Sequence, residues 1–223
     1  MQQQATPYIV AFCEAQIEIL YEDDYLLLIN KPEGLLSMPG VNPLNHDSVI
    51  TRLTKIYPAA GLVHRLDLDT SGIMIIPLNK MVLAHISKQF QARTVNKTYT
   101  AVLAGHLLHD KGEINYPLIK DWPNPPLHKV CYETGKASLT HYEVLERLND
   151  PKKTRVLFTP VTGRTHQLRI HSREIGHPIC GCDLYADDAA FALADRLMLH
   201  ATSIDFTHPI TGERIQGHAP APF

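Results

Sequence analysis

A chain of 223 residues with 44% hydrophobic and 20% charged side chains can bury a large core and has the composition of an ordinary soluble globule. A formal net charge of −2 gives no general attraction to polyanions, so any RNA or DNA site has to be a local basic patch. The apolar runs are too short to span a bilayer and the start MQQQATPYIV lacks a basic n-region, which excludes a membrane or exported protein; the four scattered cysteines agree with a cytoplasmic one.

Residues 1–18 read as a loosely held lead-in, and residues 19–223 as one domain. Ile17–Tyr21 and Tyr25–Asn30 are expected to be two strands joined across the turn-forming triplet Glu22-Asp23-Asp24. Lys31-Pro32-Glu33-Gly34 and Pro39-Gly40 then take the chain out of the sheet through two corners. Residues 47–56 carry Val49, Ile50, Leu53 and Ile56 at helical spacing, with Asp47 as N-cap.

The stretch from His64 to Gly72 (HRLDLDTSG) packs four ionisable residues into six positions, directly before the apolar run Ile73-Met74-Ile75-Ile76-Pro77. That run reads as a buried strand. If the segment before it is extended, Arg65 and Asp67 point to one side and Leu66 to the other, with Thr70-Ser71-Gly72 turning into the strand. A carboxylate and a guanidinium at the rim of a buried sheet suit an active-site edge; a solvated loop with a surface ion pair would read the same way.

Met81 to Arg93 repeats a helical pattern, with Val82, Leu83, Ile86 and Phe90 inward and Lys80, Lys88 and Arg93 outward. Lys97 to Gly105 alternates as a strand that puts Lys97, Tyr99 and Ala101 on one face. Residues 121–136, with the single tryptophan and Lys129, form a long loop or hairpin arm. Leu139–Leu148 and Arg155–Thr159 pair as strands around the turn at 149–153. In TGRTHQLRIHSR (162–173), Thr165 as N-cap starts a helix that groups His166, Arg169 and Arg173 on one face and Leu168, Ser172 and Ile175 opposite. Such a helix is commonly just solvated, but with Arg164 beside it an anion or phosphate site is credible. An apolar-periodic stretch at 189–199, the segment His200–Phe206 and a Pro-rich tail close the chain.

Several chemistries are absent. There is no phosphate loop, dinucleotide fingerprint, nucleophile elbow or zinc deaminase pattern. His177, Cys180 and Cys182 have an unusual spacing for zinc and no evident fourth ligand, so no metal is expected.

The motifs taken together resemble the RluA family of RNA pseudouridine synthases. His64-Arg65-Leu66-Asp67 with Thr70-Ser71-Gly72 is similar to its catalytic motif, and Asn30-Lys31-Pro32-x-Gly34-Leu35 to its opening motif. Lys97-x-Tyr99-x-Ala101, Gly163 to His171, and Leu197-Met198-Leu199-His200-Ala201 follow as its tyrosine, arginine and late apolar motifs. The length, the lack of an S4 domain and the arm at 121–136 look most like the family's small dual-specificity branch. One departure stands out: the family's Gly-His-Pro-x-x-Gly-Asp becomes Gly176-His177-Pro178-Ile179-Cys180-Gly181-Cys182, with Asp183 one place late, which puts a supporting contact in question.

The resemblance implies a mixed α/β (α+β) fold, a long and mostly antiparallel sheet with flanking helices and a central catalytic cleft. It implies an enzyme that isomerises specific uridines to pseudouridine in RNA stem-loops, in 23S rRNA and the tRNA anticodon arm, with no cofactor, acting as a monomer. Asp67 would be the nucleophile, kept ionised by a bidentate Arg169. Tyr99 would stack on the uracil and accept or relay a proton, and Arg65 would fill the space left by the extruded nucleotide. Arg65, Lys97, Lys129, Arg164 and Arg173 make up the expected RNA patch. A catalytically silent RNA-binding relative and a base-excising glycosylase using Asp67 are the alternatives.

Overall fold

The computed structural model describes residues 9–223. Its main sheet has nine strands in the spatial order β1 (Glu18–Glu22), β2 (Leu26–Lys31), β3 (Ser71–Pro77), β10 (Leu199–Thr207), β4 (Asn96–Ala104), β9 (Lys152–Pro160), β8 (Thr140–Asn149) and β5 (Lys111–Ile114), with β11 (Arg214–His218) also on β10. A separate hairpin of β6 (Leu118–Lys120) and β7 (His128–Val130) forms the arm. All pairings are antiparallel except β3 with β10, where His200 faces Ser71 and Ala201 faces Gly72. The fold is thus the mixed, mostly antiparallel architecture expected. Among the described residues no helix is long and apolar enough to cross a membrane.

The parallel seam joins two cores. One gathers Leu26 to Ile29, Ile73 to Ile76, Val82, Ile86 and Phe206 around β2, β3 and the helix α2 (Lys80–Ala92). The other gathers Leu103, Val156, Phe158, Leu168 and Ile170 around β4, β9 and the helix α3 (Gln167–Glu174). Every residue of β3 is buried, as a run without polar alternation requires. Gly72 is obligatory at the seam: its φ is +119°, and a Cβ there would lie 2.3 Å from the Ala201 carbonyl oxygen. Tyr99 packs against both cores, which places it on the line between them.

Some local expectations change. The described part of the lead-in is tied to the body: the Val10 amide donates to Asn45 and Arg52 donates to the Cys13 and Ala15 carbonyls. Residues 1–8 lie outside the described residues. The first helix, α1 (Val49–Leu53), is capped by Ser48 in a capping box with Thr51, while Asp47 pairs with Arg52 and Ile56 is exposed. The turn before β3 runs from Asp67 to Thr70, so Ser71 and Gly72 already belong to the strand. Thr165 does not cap α3; the N-cap position falls on His166, in the left-handed region at φ 56° and without a side-chain capping bond. Of 189–199 only the start is helical, in α4 (Asp188–Phe191), and the Pro-rich tail includes β11.

Candidate active site

The loop before β3, the end of α2, the start of β4 and the turn leading into α3 enclose a cleft of about 560 Å³. Six of the expected residues line it: Arg65, Asp67, Lys97, Tyr99, Arg164 and Arg169. Arg93 adds a fifth basic group against one carboxylate, that of Asp67. A chain with a net negative charge therefore concentrates positive charge in one cavity. Two expected residues lie elsewhere. Lys129 sits on the arm, 2.9 Å from Asp121, and Arg173 pairs with Glu174 and lies over the Tyr185 ring.

The Asp67 turn is built by backbone contacts from the opening motif. Lys31, fully buried, donates to the carbonyls of Pro32 (2.8 Å), Leu35 (2.7 Å) and Leu68 (2.9 Å). Burial pushes its pKa down to about 7, although the charge of Asp69 and three carbonyl acceptors favour the ammonium. Ser37 brackets Leu66, donating to its carbonyl and accepting from its amide. His64 accepts from the Ile75 amide at 3.0 Å through Nε2, and burial lowers its pKa to about 3, so the ring is a neutral structural cap. Leu66 is buried, Arg65 exposed and Asp67 half-buried, but all three line the cleft, so the segment does not send Leu66 to the opposite side as a strict extended alternation would.

The facing wall uses side chains. Arg169 is 3% exposed, so α3 does not present a solvated basic face. Its expected bidentate contact with Asp67 is not formed. Instead Nε donates to Cys182 Sγ at 3.3 Å and Nη2 pairs with Asp183. Burial opposes the Arg169 charge, but Cys182, Asp67 and Asp183 outweigh it and raise its pKa. Among the described residues, the Lys, Arg or His nitrogen that comes within 4.0 Å of the Asp67 carboxylate is His166 Nε2, at 3.9 Å. Tyr185 Oη accepts from the His128 amide and shares a hydrogen bond with His166 Nδ1 at 2.6 Å. Burial lowers the His166 pKa to about 4, leaving a neutral ring. Burial, and secondarily the Asp67 charge, raises the Tyr99 pKa, so its phenol stays protonated. That suits stacking and proton donation and works against the acceptor role that the resemblance implied.

Sequence reasoning left Lys31 and Arg93 off the site, and grouped His166 with Arg169 and Arg173 without giving it a place beside Asp67. Lys31 had a usable signal, a lysine ending the apolar run Tyr25–Asn30. Arg93 was assigned outward and is exposed; what helical phase did not give is that, as the C-cap of α2 with φ 58°, it also lines the cleft. His177 and Cys182, considered for zinc, bond to the Ala104 carbonyl and to Arg169.

Residues 25–174 match the family model of RNA pseudouridylate synthase. The chain is 50% identical over 194 residues to the dual-specificity RNA pseudouridine synthase RluA of Yersinia pestis, covering 87% of this chain and 94% of that one. To the RluA of Escherichia coli K12 it is 47% identical over 210 residues, covering 94% and 95%. Among solved structures, human RNA Pseudouridylate Synthase Domain Containing 1 superposes with a TM-score of 0.79 at 28% identity, covering 98% of this chain and 87% of that one. With its motifs gathered around one cleft and its length matched almost throughout, the chain belongs to the RNA pseudouridylate synthase family, isomerases that act on RNA.

Proposed function

We propose that the cleft converts uridine to pseudouridine in short stem-loops of both rRNA and tRNA, with Asp67 as nucleophile and residues 19–223 working as one monomeric catalytic domain. The observation that carries this reading is a single carboxylate facing five basic side chains in a cavity large enough for a nucleotide. In the reaction the bond from ribose C1′ to N1 breaks, a bond from C1′ to C5 forms, the C5 proton leaves and N1 takes one up. The change is an isomerisation and needs no redox partner. Tyr99 supplies a flat face for the uracil, and Arg65 at the exposed rim takes the place of the extruded nucleotide. Arg164, Lys97 and Arg93 hold phosphates, and Lys129 and Arg173 extend the contact beyond the cleft. So few charges suit a loop with an unstacked base better than a long duplex. The dual specificity in the names of the RluA relatives supports rRNA and tRNA as the two substrates.

The test is tritium release from a stem-loop carrying 5-tritiated uridine. Asp67→Asn should lower the rate by at least about 1,000-fold while RNA binding stays near wild type. Activity within a few-fold of wild type would end the assignment, and free uracil among the products would make the protein a glycosylase. A stem-loop processed far more slowly than the intact RNA would place the specificity in distant contacts.

A further inference from the structure

Among the described residues four buried side-chain polar atoms make no hydrogen bond: Thr70 Oγ1, Asp121 Oδ1, Arg155 Nε and Asp205 Oδ1. Three of them face an opposite charge, Asp121 meeting Lys129, Arg155 meeting Glu146 and Asp205 meeting Arg214. The Thr70 hydroxyl has no such partner. It is also the one that belongs to the cleft, where Thr70 lines the wall at 3% exposure. The next residue shows the contrast: the Ser71 hydroxyl is shared with His200 Nδ1 at 2.8 Å and accepts from Arg196 Nη2 at 2.6 Å. A hydroxyl taken out of water without a replacement partner is costly to keep, and such a group in a native fold calls for a reason.

We propose that Thr70 is a positioning residue for Asp67, its hydroxyl donating to the Asp67 carboxylate once RNA has filled the cleft. The proposal rests on the reading of Asp67 as nucleophile. Thr70 closes the turn that Asp67 opens, its amide donating to the Asp67 carbonyl at 3.2 Å, so the two side chains leave neighbouring points of one turn. Both line the cleft, whereas Asp69, the other carboxylate of that turn, does not. Among the described residues the Asp67 carboxylate accepts no hydrogen bond, and its 3.9 Å approach to His166 Nε2 is too long for one. A donor without an acceptor and an acceptor without a donor thus sit one turn apart. The hydroxyl oxygen is shielded from solvent, so its partner has to come from the protein and not from the RNA. Rotation of the Asp67 side chain supplies that partner without moving the main chain, which Lys31 and Ser37 tie down. RNA in the cleft removes the water that competes for the carboxylate and so favours the contact. A carboxylate has room for several donors, which leaves the attacking lone pair and the approach of Arg169 open.

The test compares Thr70→Val, which keeps the branched shape and drops the hydroxyl, with Thr70→Ser, which keeps the hydroxyl, in the full chain on a 5-tritiated stem-loop. Thr70→Val should lower kcat by roughly 10- to 100-fold while KM and RNA affinity change less than about threefold. Its urea midpoint should stay at or above that of wild type, because the free protein loses no hydrogen bond. Thr70→Ser should keep kcat within about fivefold of wild type. The proposal is overturned by a Thr70→Val kcat within about threefold of wild type, by a loss carried in KM, by a fallen urea midpoint, or by a Thr70→Ser no more active than Thr70→Val. Asp67→Asn run alongside separates the two readings: if it is inactive while Thr70→Val works normally, only the positioning role fails. If Asp67→Asn is itself active, the site reading fails and the positioning role with it.

Discussion

The two walls of the cleft secure their polar residues by opposite means. Asp67 sits on an irregular turn whose main chain is tied down from outside, by Lys31 on Leu68 and Ser37 on Leu66, while its own side chain stays partly open to the cleft. Arg169 sits on a regular helix that needs no such help, but its side chain is buried and bonded in turn to Cys182 and Asp183. One wall places the backbone and leaves the functional group free; the other places the functional group itself. The first should be sensitive to backbone geometry and buried donors, the second to the shape and charge of side chains.

The largest effect should come from the seam that holds the walls together. Gly72→Ala puts a Cβ against the Ala201 backbone at a φ of +119°, and should cost about 4 kcal/mol from strain and overpacking together. Urea unfolding should show a much lower midpoint or no folded protein at all; an unchanged midpoint would mean that the two halves can slide apart to admit a methyl.

Next comes the side-chain wall. Arg169→Lys keeps the charge but cannot bond Cys182 and Asp183 at once, and should cost roughly 100-fold in kcat with the fold intact. Near-normal tritium release would return α3 to an ordinary structural helix.

The most gradual effect, spread over several pH units, sharpens the backbone wall. The folded-state pKa of Lys31 is lowered to about 7 from its ordinary 10.5. Between those values the unfolded chain holds the extra proton, so raising the pH favours the folded state, and this contribution is lost as pH falls toward 7. Lys31→Met removes it. The stability of wild type relative to Lys31→Met should therefore climb from pH 7 to 9.5, by at most about 1.4 kcal/mol per pH unit, in urea titrations of both proteins. A constant difference would mean that the three carbonyls keep Lys31 charged throughout.

What was legible in the sequence tracks the range of the interactions involved. The apolar run of β3, the placement of Arg65 and Asp67 at the cleft, and the face shared by Lys97 and Tyr99 are local patterns, and each has the expected strand or cleft placement. The cap of α3 was misplaced because His166 adopts a left-handed conformation that a serine-or-threonine rule does not anticipate. Lys129 and Arg173 looked equivalent to Arg164 as charges, but strand pairing in the arm and the last turn of α3 carry them away from the cavity.

By itself the sequence determined the mixed α/β character, the cluster of chemistry around Asp67, and the family, since each rests on residue types at fixed spacings along the chain. Only the tertiary structure decided which partner Arg169 takes, why Lys31 is buried, and how Tyr99 comes to lie between two cores. Those depend on strands far apart in sequence meeting in one register: β3 beside β10, and β10 beside β4. A buried charge bonds to whatever acceptor that register brings within reach, and for Arg169 it brought Cys182 and Asp183 instead of Asp67.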